Sequence, residues 1–293
     1  MKALLEAIRP VQWVKNLLVF APLVFSKHLF DATAATHAVI AFSAFCLVAS
    51  SIYLFNDLFD VERDREHPQK RDRPLASGRL SIVVARVVFV ILAIAGVTIG
   101  VLAPLQFYVP ITVYFALNIA YSVRLKHVAI IDTMCIAIGF VLRVLTGGLA
   151  IGQPVSGWLI LCTFFIALML AFCKRRHEIS LLGTDSSSHR RALDDYSLHF
   201  LDQLIAPLGA LTVTTYALYT VAPQTIEKFG TENLIWTVPF VVYGVFRYLW
   251  LVHMRSEGGN PTKLLLSDVP TLLNVFAWGA VALWAVYGGA HGG

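Results

Sequence analysis

Residues 36–64 read THAVIAFSAFCLVASSIYLFNDLFDVERD. From Thr36 to Phe55 the stretch holds no Asp, Glu, Lys or Arg. About 20 such residues in a helix cross a bilayer core roughly 30 Å thick. Where the apolar run ends come Asn56, Asp57, Asp60 and Asp64. At about 100° per residue these four share one arc of roughly 100° on a helix. Three carboxylates that close repel one another unless a cation sits among them. Hard divalent cations take oxygen ligands, and Mg²⁺ commonly combines one or two carboxylates with substrate phosphates. The plain alternative is a solvated helix end paired with Arg63 and Arg65. Asn56 and Asp57 argue against it, because they begin inside the apolar run, where polar groups are costly and usually functional.

The rest of the chain follows the same pattern. Of its 293 residues 57% are hydrophobic and 14% charged, and the mean hydropathy is +0.71. Soluble domains carry about 25% charged residues, so the polar surface here is too small to coat one. High apolar content also excludes a disordered chain, and no short period points to a fibre. An all-α membrane protein remains. Nine apolar stretches are long enough to count as spans, near 13–30, 36–58, 82–103, 107–123, 130–150, 156–174, 204–222, 232–253 and 269–288. Barrel strands would alternate over about ten residues, and these do not. Residues 1–293 therefore read as a single polytopic transmembrane domain. Cys46, Cys135, Cys162 and Cys173 lie in or beside apolar runs without metal-binding spacing, which predicts free thiols. Glu6, Arg9 and Lys15 interrupt the first apolar stretch, which argues against a removable signal peptide.

Charge is one-sided. Of 23 Lys and Arg, only Lys27 and Lys228 fall at the face opposite the N-terminus, while Arg143 and Arg247 fall within spans. The positive-inside rule then predicts a cell (inner) membrane protein with its N-terminus and four charged loops cytoplasmic. The first of these loops, after the carboxylates, runs His67-Pro68-Gln69-Lys70-Arg71-Asp72-Arg73-Pro74-Leu75-Ala76-Ser77-Gly78-Arg79. Acidic ligands followed by Lys70, Arg71, Arg73 and Arg79 suit a metal-bound polyphosphate: a metal bridges carboxylate to diphosphate, and the bases neutralise the remainder. A basic loop alone could instead contact anionic lipid heads.

These residues carry a resemblance. Asn56-Asp57-x-x-Asp60-x-x-x-Asp64 followed by Arg73-Pro74-Leu75-x-Ser77-Gly78 resembles the first signature of the UbiA superfamily of intramembrane transferases. Tyr121-Ser122-Val123-Arg124-Leu125-Lys126, then Asp132, resembles that superfamily's tyrosine–lysine segment. The resemblance implies a nine-helix bundle whose central cavity opens to the cytoplasmic side and laterally to lipid, with a Mg²⁺–diphosphate substrate at its mouth. The chain departs from the usual pattern after the sixth span. Cys173-Lys174-Arg175-Arg176-His177-Glu178 stands where a second aspartate-rich motif is usual, and Asp194, Asp195 and Asp202 follow without its spacing.

Three further segments resemble the polyprenyl-phosphate phosphoribosyltransferase branch. They are Arg9-Pro10-Val11-Gln12-Trp13-Val14-Lys15-Asn16, Tyr196-Ser197-Leu198-His199-Phe200-Leu201-Asp202-Gln203 and Asn260-Pro261-Thr262-Lys263-Leu264-Leu265-Leu266-Ser267-Asp268. The branch transfers 5-phosphoribose from phosphoribosyl diphosphate (PRPP) to decaprenyl phosphate or a similar polyprenyl phosphate, on the route to decaprenylphosphoryl-arabinose and cell-wall arabinan. The resemblance implies Mg²⁺ as cofactor. It also implies PRPP, the lipid phosphate and the membrane as partners, with no nucleic acid.

Under that reading Asn56, Asp57, Asp60 and Asp64 hold the metal, and the three aspartates act in catalysis. Lys70, Arg71 and Arg73 bind the donor phosphates, with Lys126, Lys174, Arg175 and Tyr121 next. Lys15 and Asn16 are candidates for the lipid phosphate. Arg143 lies eleven residues after Asp132, within about 20° of the same helix face, so the two with Gly139 form a candidate cavity stripe; an interhelical salt bridge is the alternative for Arg143. A phosphate oxyanion needs no general base, which agrees with the lack of a Ser/His/Asp arrangement or an HExxH motif. Two rival functions stay open. An aromatic prenyltransferase of quinone or haem synthesis is disfavoured by the Lys174-Arg175-Arg176 run. An anionic-lipid transporter is disfavoured by the lack of internal repeats and by polar residues gathered at one interface.

Overall fold

The computed structural model describes residues 2–66, 70–103, 107–182, 195–255, 258–259 and 261–288. Every regular element among them is helical. Within the sequence motifs, His67, Pro68, Gln69, Asp194 and Asn260 lie outside the described residues.

The elements are α1 (Lys2–Ile8), a 3₁₀ helix (Pro10–Phe20) running into α2 (Ala21–Phe25), α3 (Ala32–Phe59), α4 (Val61–Glu66), α5 (Ile82–Leu102), α6 (Tyr108–Val123), α7 (Ile131–Ala150) and α8 (Gly157–Leu182). They continue with α9 (Leu198–Val221), α10 (Pro223–Phe229), α11 (Val238–Met254), α12 (Pro261–Ser267) and α13 (Val269–Tyr287). Side-chain caps begin three of the long helices. Asp31 accepts from the Thr33 and Ala34 amides at α3, Ser197 from Phe200 at α9, and Asp268 from Thr271 at α13. Each satisfies amides that have no partner in the first helical turn.

Among the described residues seven helices are long and apolar enough to cross a membrane, against nine expected stretches. The other two, Pro10–Phe25 and Tyr108–Val123, are shorter in residues. For the first, part of the difference is geometric: a 3₁₀ helix rises about 2.0 Å per residue against 1.5 Å in an α-helix, so Pro10–Phe25 extends about 30 Å. It begins and ends before the expected 13–30. In contrast, α8 and α9 run past their apolar stretches into polar sequence, because hydropathy marks the buried part of a helix and not its ends. The four cysteines are free thiols, as expected.

The chain forms two compact units, Met1–Lys126 with Leu142–Pro154, and His127–Val141 with Val155–Gly293. In the first, α3 packs against α5, α6 and the 3₁₀ helix. Its buried face carries Ala38, Ala41, Ala44, Phe45, Val48 and Ile52, while Val83, Ile91 and Ile94 of α5 are exposed, as on a lipid-facing surface. Backbones come closest at Gly147, where a Cβ would lie 1.9 Å from the Val19 carbonyl oxygen. The second unit packs α8 on α9 and α9 on α11, with Met169, Phe172, Leu201, Ile205 and Leu251 in its core.

Candidate functional site

In the first unit α3 ends at Phe59, and Asp60 caps it with φ −99° and ψ 9° before α4 begins. The amide ladder nevertheless continues through the break, with Asp60 N–H on the Asn56 carbonyl at 2.9 Å and Asp64 N–H on the Asp60 carbonyl at 2.8 Å. Asn56, Asp57, Asp60 and Asp64 therefore stay on neighbouring turns, as their spacing predicts, although on two helices and not one.

Each carboxylate meets a cation. Arg9 Nη2 donates to Asp57 Oδ1 at 2.6 Å, and Arg73 Nη1 donates to the same oxygen at 3.2 Å and to Asp64 Oδ2 at 2.7 Å. Lys126 Nζ donates to both oxygens of Asp60, at 2.7 and 2.8 Å. Asn56 Oδ1 accepts from the Ser122 hydroxyl. Asp57 and Asp64 are 2% and 4% exposed, so these pairs lie largely out of solvent and breaking one would strand a buried charge. One atom is left over: Asp57 Oδ2 is buried without a hydrogen-bond partner. Among the described residues no three His, Cys, Asp or Glu side chains form a ready-made metal cluster.

The loop after α4 explains its own motif. Leu75 is 1% exposed and shares a small core with Leu54 and Ala85. Ser77 returns its amide and hydroxyl to the Arg73 carbonyl at 2.9 and 2.7 Å. Gly78 sits at φ +75°, a conformation that side chains disfavour. Leu75 is thus an anchor, and Ser77 with Gly78 the turn that aims Arg73 at Asp57 and Asp64. Arg71 is exposed and Lys70 half-buried. Outside the spans, Glu6 pairs with Arg79 at 2.8 Å, which holds its carboxyl below the usual range and ties α1 to this loop.

Deeper in the same unit, Asn16 and Arg143 are 1% and 4% exposed. Arg143 Nε donates to Asn16 Oδ1 at 2.8 Å and Nη2 to the Tyr114 hydroxyl at 3.1 Å. Its guanidinium also lies 4.9 Å from the Phe45 and Tyr114 ring centres. Arg143 and Asn16 are therefore partners. Lys15 and Tyr121 are half-buried.

The second unit holds the remaining candidates. Arg175 Nε donates to Asp132 Oδ2 at 2.5 Å, with the two residues 1% and 0% exposed, and Nη1 reaches Glu178. Tyr196 donates its hydroxyl to Asp132 Oδ1 at 2.9 Å. Burial pushes the Tyr196 phenol up to about 12. Lys174 lies 3.9 Å from Glu178. Arg176 pairs with Asp202, and Arg247 with Asp268. Asp132 and Arg175 thus form a buried ion pair with each other.

The sequence alone does not pair the carboxylate cluster with Arg9 or Ser122. Arg9 meets Asp57 across 48 positions and Ser122 meets Asn56 across 66. Both residues stand inside segments already singled out, so motif membership was the available signal.

The chain matches the UbiA prenyltransferase family over residues 18–269. It belongs to that family. It is 36% identical to decaprenyl-phosphate phosphoribosyltransferase of Corynebacterium glutamicum over 289 residues, 97% of this chain and 86% of the relative. It is 33% identical to the protein of the same name from Mycolicibacterium smegmatis over 295 residues, 97% of this chain and 92% of that one. A UbiA homolog from Archaeoglobus fulgidus, solved with GPP and Mg²⁺ bound, matches with a TM-score of 0.71 at 20% identity, over 97% of this chain and 96% of its own. That likeness concerns the fold. As a UbiA-family member with these spans, the chain is a multi-pass membrane protein.

Proposed function

We propose that the protein transfers 5-phosphoribose from PRPP to a polyprenyl phosphate such as decaprenyl phosphate, releasing diphosphate. The observation that carries this reading is the likeness, over 97% of the chain, to relatives bearing that activity's name. Residues 1–293 act as one catalytic domain in the cell membrane, with the carboxylate cluster on the cytoplasmic side.

The cluster fits Mg²⁺ in its donor chemistry. Its ligand atoms are oxygens, and the buried Asp57 Oδ2 has no other partner. Asn56, Asp57, Asp60 and Asp64 would hold the ion, which when bound supplies charge neutralisation of the leaving diphosphate. Arg73 and Lys126, now on the carboxylates, are the cations placed to meet the donor phosphates, with Lys70, Arg71 and Tyr121 beside them in sequence. Lys174 and Arg175 are further donor-phosphate candidates, and Asp132 orients Arg175. Lys15 and Asn16, the latter held by Arg143, would receive the lipid phosphate.

The C1–O bond of the ribose breaks with its electron pair leaving on diphosphate, and C1 becomes oxocarbenium-like, as in other glycosyl transfers. A lipid phosphate oxygen forms the new bond from the opposite face, so the anomeric centre inverts. The nucleophile is already anionic at pH 7, so no protein base is required.

Purified protein with Mg²⁺, radiolabelled PRPP and polyprenyl monophosphate should carry label into the organic phase. Label confined to the aqueous phase, with prenylated aromatic product formed from a prenyl diphosphate, would assign the chain to aromatic prenyl transfer instead.

A further inference from the structure

Arg9 combines three features. Its backbone is left-handed, with φ 52° and ψ 61°, at a non-glycine that precedes proline, a combination chains avoid. Its guanidinium sits 5.1 Å from the Tyr53 ring centre. And its Nη2 makes the 2.6 Å contact to Asp57 Oδ1. Backbone strain of this kind persists where the surroundings fix it, and it gathers at functional sites.

The consequence falls on Asp57. A carboxylate can turn about its last bond and offer either oxygen. Here Oδ1 is taken by Arg9 and Arg73 together, while Oδ2 is buried and without a partner. Two guanidiniums on one oxygen hold the carboxylate plane and leave a single oxygen for another ligand. Arg73 also serves Asp64 and lies on a loop. Arg9 has Asp57 as its carboxylate and is braced by the ring and by the segment that follows. That segment is itself pinned, since Trp13 Nε1 donates to Ser50 Oγ at 3.0 Å and Ser50 Oγ donates to the Ile8 carbonyl at 3.0 Å. The contacts on both sides of Arg9 thus hold its backbone against α3.

From this we infer that Arg9 is a positioning residue: it fixes Asp57 so that Oδ2 alone faces a divalent cation. The inference rests on reading the cluster as a metal–diphosphate site, and it adds that Asp57 binds through one oxygen. It also gives the Arg9-Pro10 pair a purpose: the left-handed turn delivers a cation that a regular helix start would direct elsewhere.

The test uses the full chain in detergent, dialysed to equilibrium against Mn²⁺ and radiolabelled pyrophosphate, reading label retained by the protein. Arg9→Gly removes the side chain at a position whose backbone glycine adopts freely. The folded protein should retain pyrophosphate at least tenfold more weakly, and raising Mn²⁺ should recover binding better than raising pyrophosphate. Arg9→Lys keeps the charge but not the guanidinium's planar fork, so it should stay several-fold weaker than wild type. If Arg9→Gly is too unstable to measure, Arg9→Lys carries the same test.

Wild-type retention by Arg9→Gly, or full recovery by Arg9→Lys, would overturn the positioning role. Asp57→Asn separates the two levels. If it abolishes retention while the Arg9 variants do not change it, only the inference fails. If Asp57→Asn binds like wild type, the metal-site reading fails and the inference falls with it.

Discussion

Asp57 gives one oxygen to two arginines and keeps the other buried and alone. The first expectation follows: Asp57→Asn and Asp60→Asn should each abolish transfer while the protein remains folded in detergent. Mg²⁺-dependent transfer by both variants would contradict the assignment. Arg73 stands on Asp57 and Asp64 and comes from the basic loop. Its charge reversal should raise the KM for PRPP far more than that for polyprenyl phosphate; equal effects would indicate general electrostatics. The acids were legible in the sequence because their i, i+3 and i+4 spacing acts within a few residues. Arg9 was not legible as a partner, because its contact depends on a left-handed turn and a helix 48 positions away. Arg143 stood out as an intramembrane cation, yet its bonds to Asn16 and Tyr114 needed three separate elements to be placed. Arg175 was legible as a cation beside Lys174 and Arg176, while its contact with Asp132, 43 positions away, was not.

Helices α3, α5 and α7 were readable because long apolar runs must be helical in lipid. The entry segment was read as a stretch near 13–30, but its bounds, Pro10–Phe25, were not legible, because a 3₁₀ helix spans the same thickness with fewer residues. Its approach to α7 depends on Gly147. Gly147→Ala would press a methyl group into the Val19 carbonyl and should cost about 1–3 kcal/mol by overpacking, seen as a lower unfolding temperature in detergent. Wild-type stability would contradict the close contact. At the start of α13, Asp268 accepts from Arg247 and from the Thr271 amide, and these, Arg247 above all, hold its carboxyl well below the usual range. A carboxylate whose pKa is depressed by folding stabilises at neutral pH, and that contribution fades as acid approaches the folded pKa. Asp268→Ala should therefore cost about 1 kcal/mol at pH 7 as a lost cap. The gap from wild type should begin to close below about pH 4, the unfolded carboxylate range. A gap independent of pH would assign the effect to packing.

For the molecule as a whole, composition identified a polytopic bundle, and the UbiA-family match over residues 18–269 agrees with it. The distribution of Lys and Arg predicts a cytoplasmic N-terminus and a cytoplasmic loop at 70–80. A single reporter cysteine at exposed Ser77, introduced with the four native thiols replaced, should react with an impermeant reagent in inside-out vesicles and not in intact cells. The reverse pattern would invert the topology. One assay follows both halves of the donor through the reaction. Protein, Mg²⁺, polyprenyl monophosphate and PRPP labelled in the ribose and separately in the diphosphate should give lipid-borne ribose label and water-borne diphosphate label in equal amounts. Ribose label that never enters the lipid phase, with both substrates and metal present, would contradict the account.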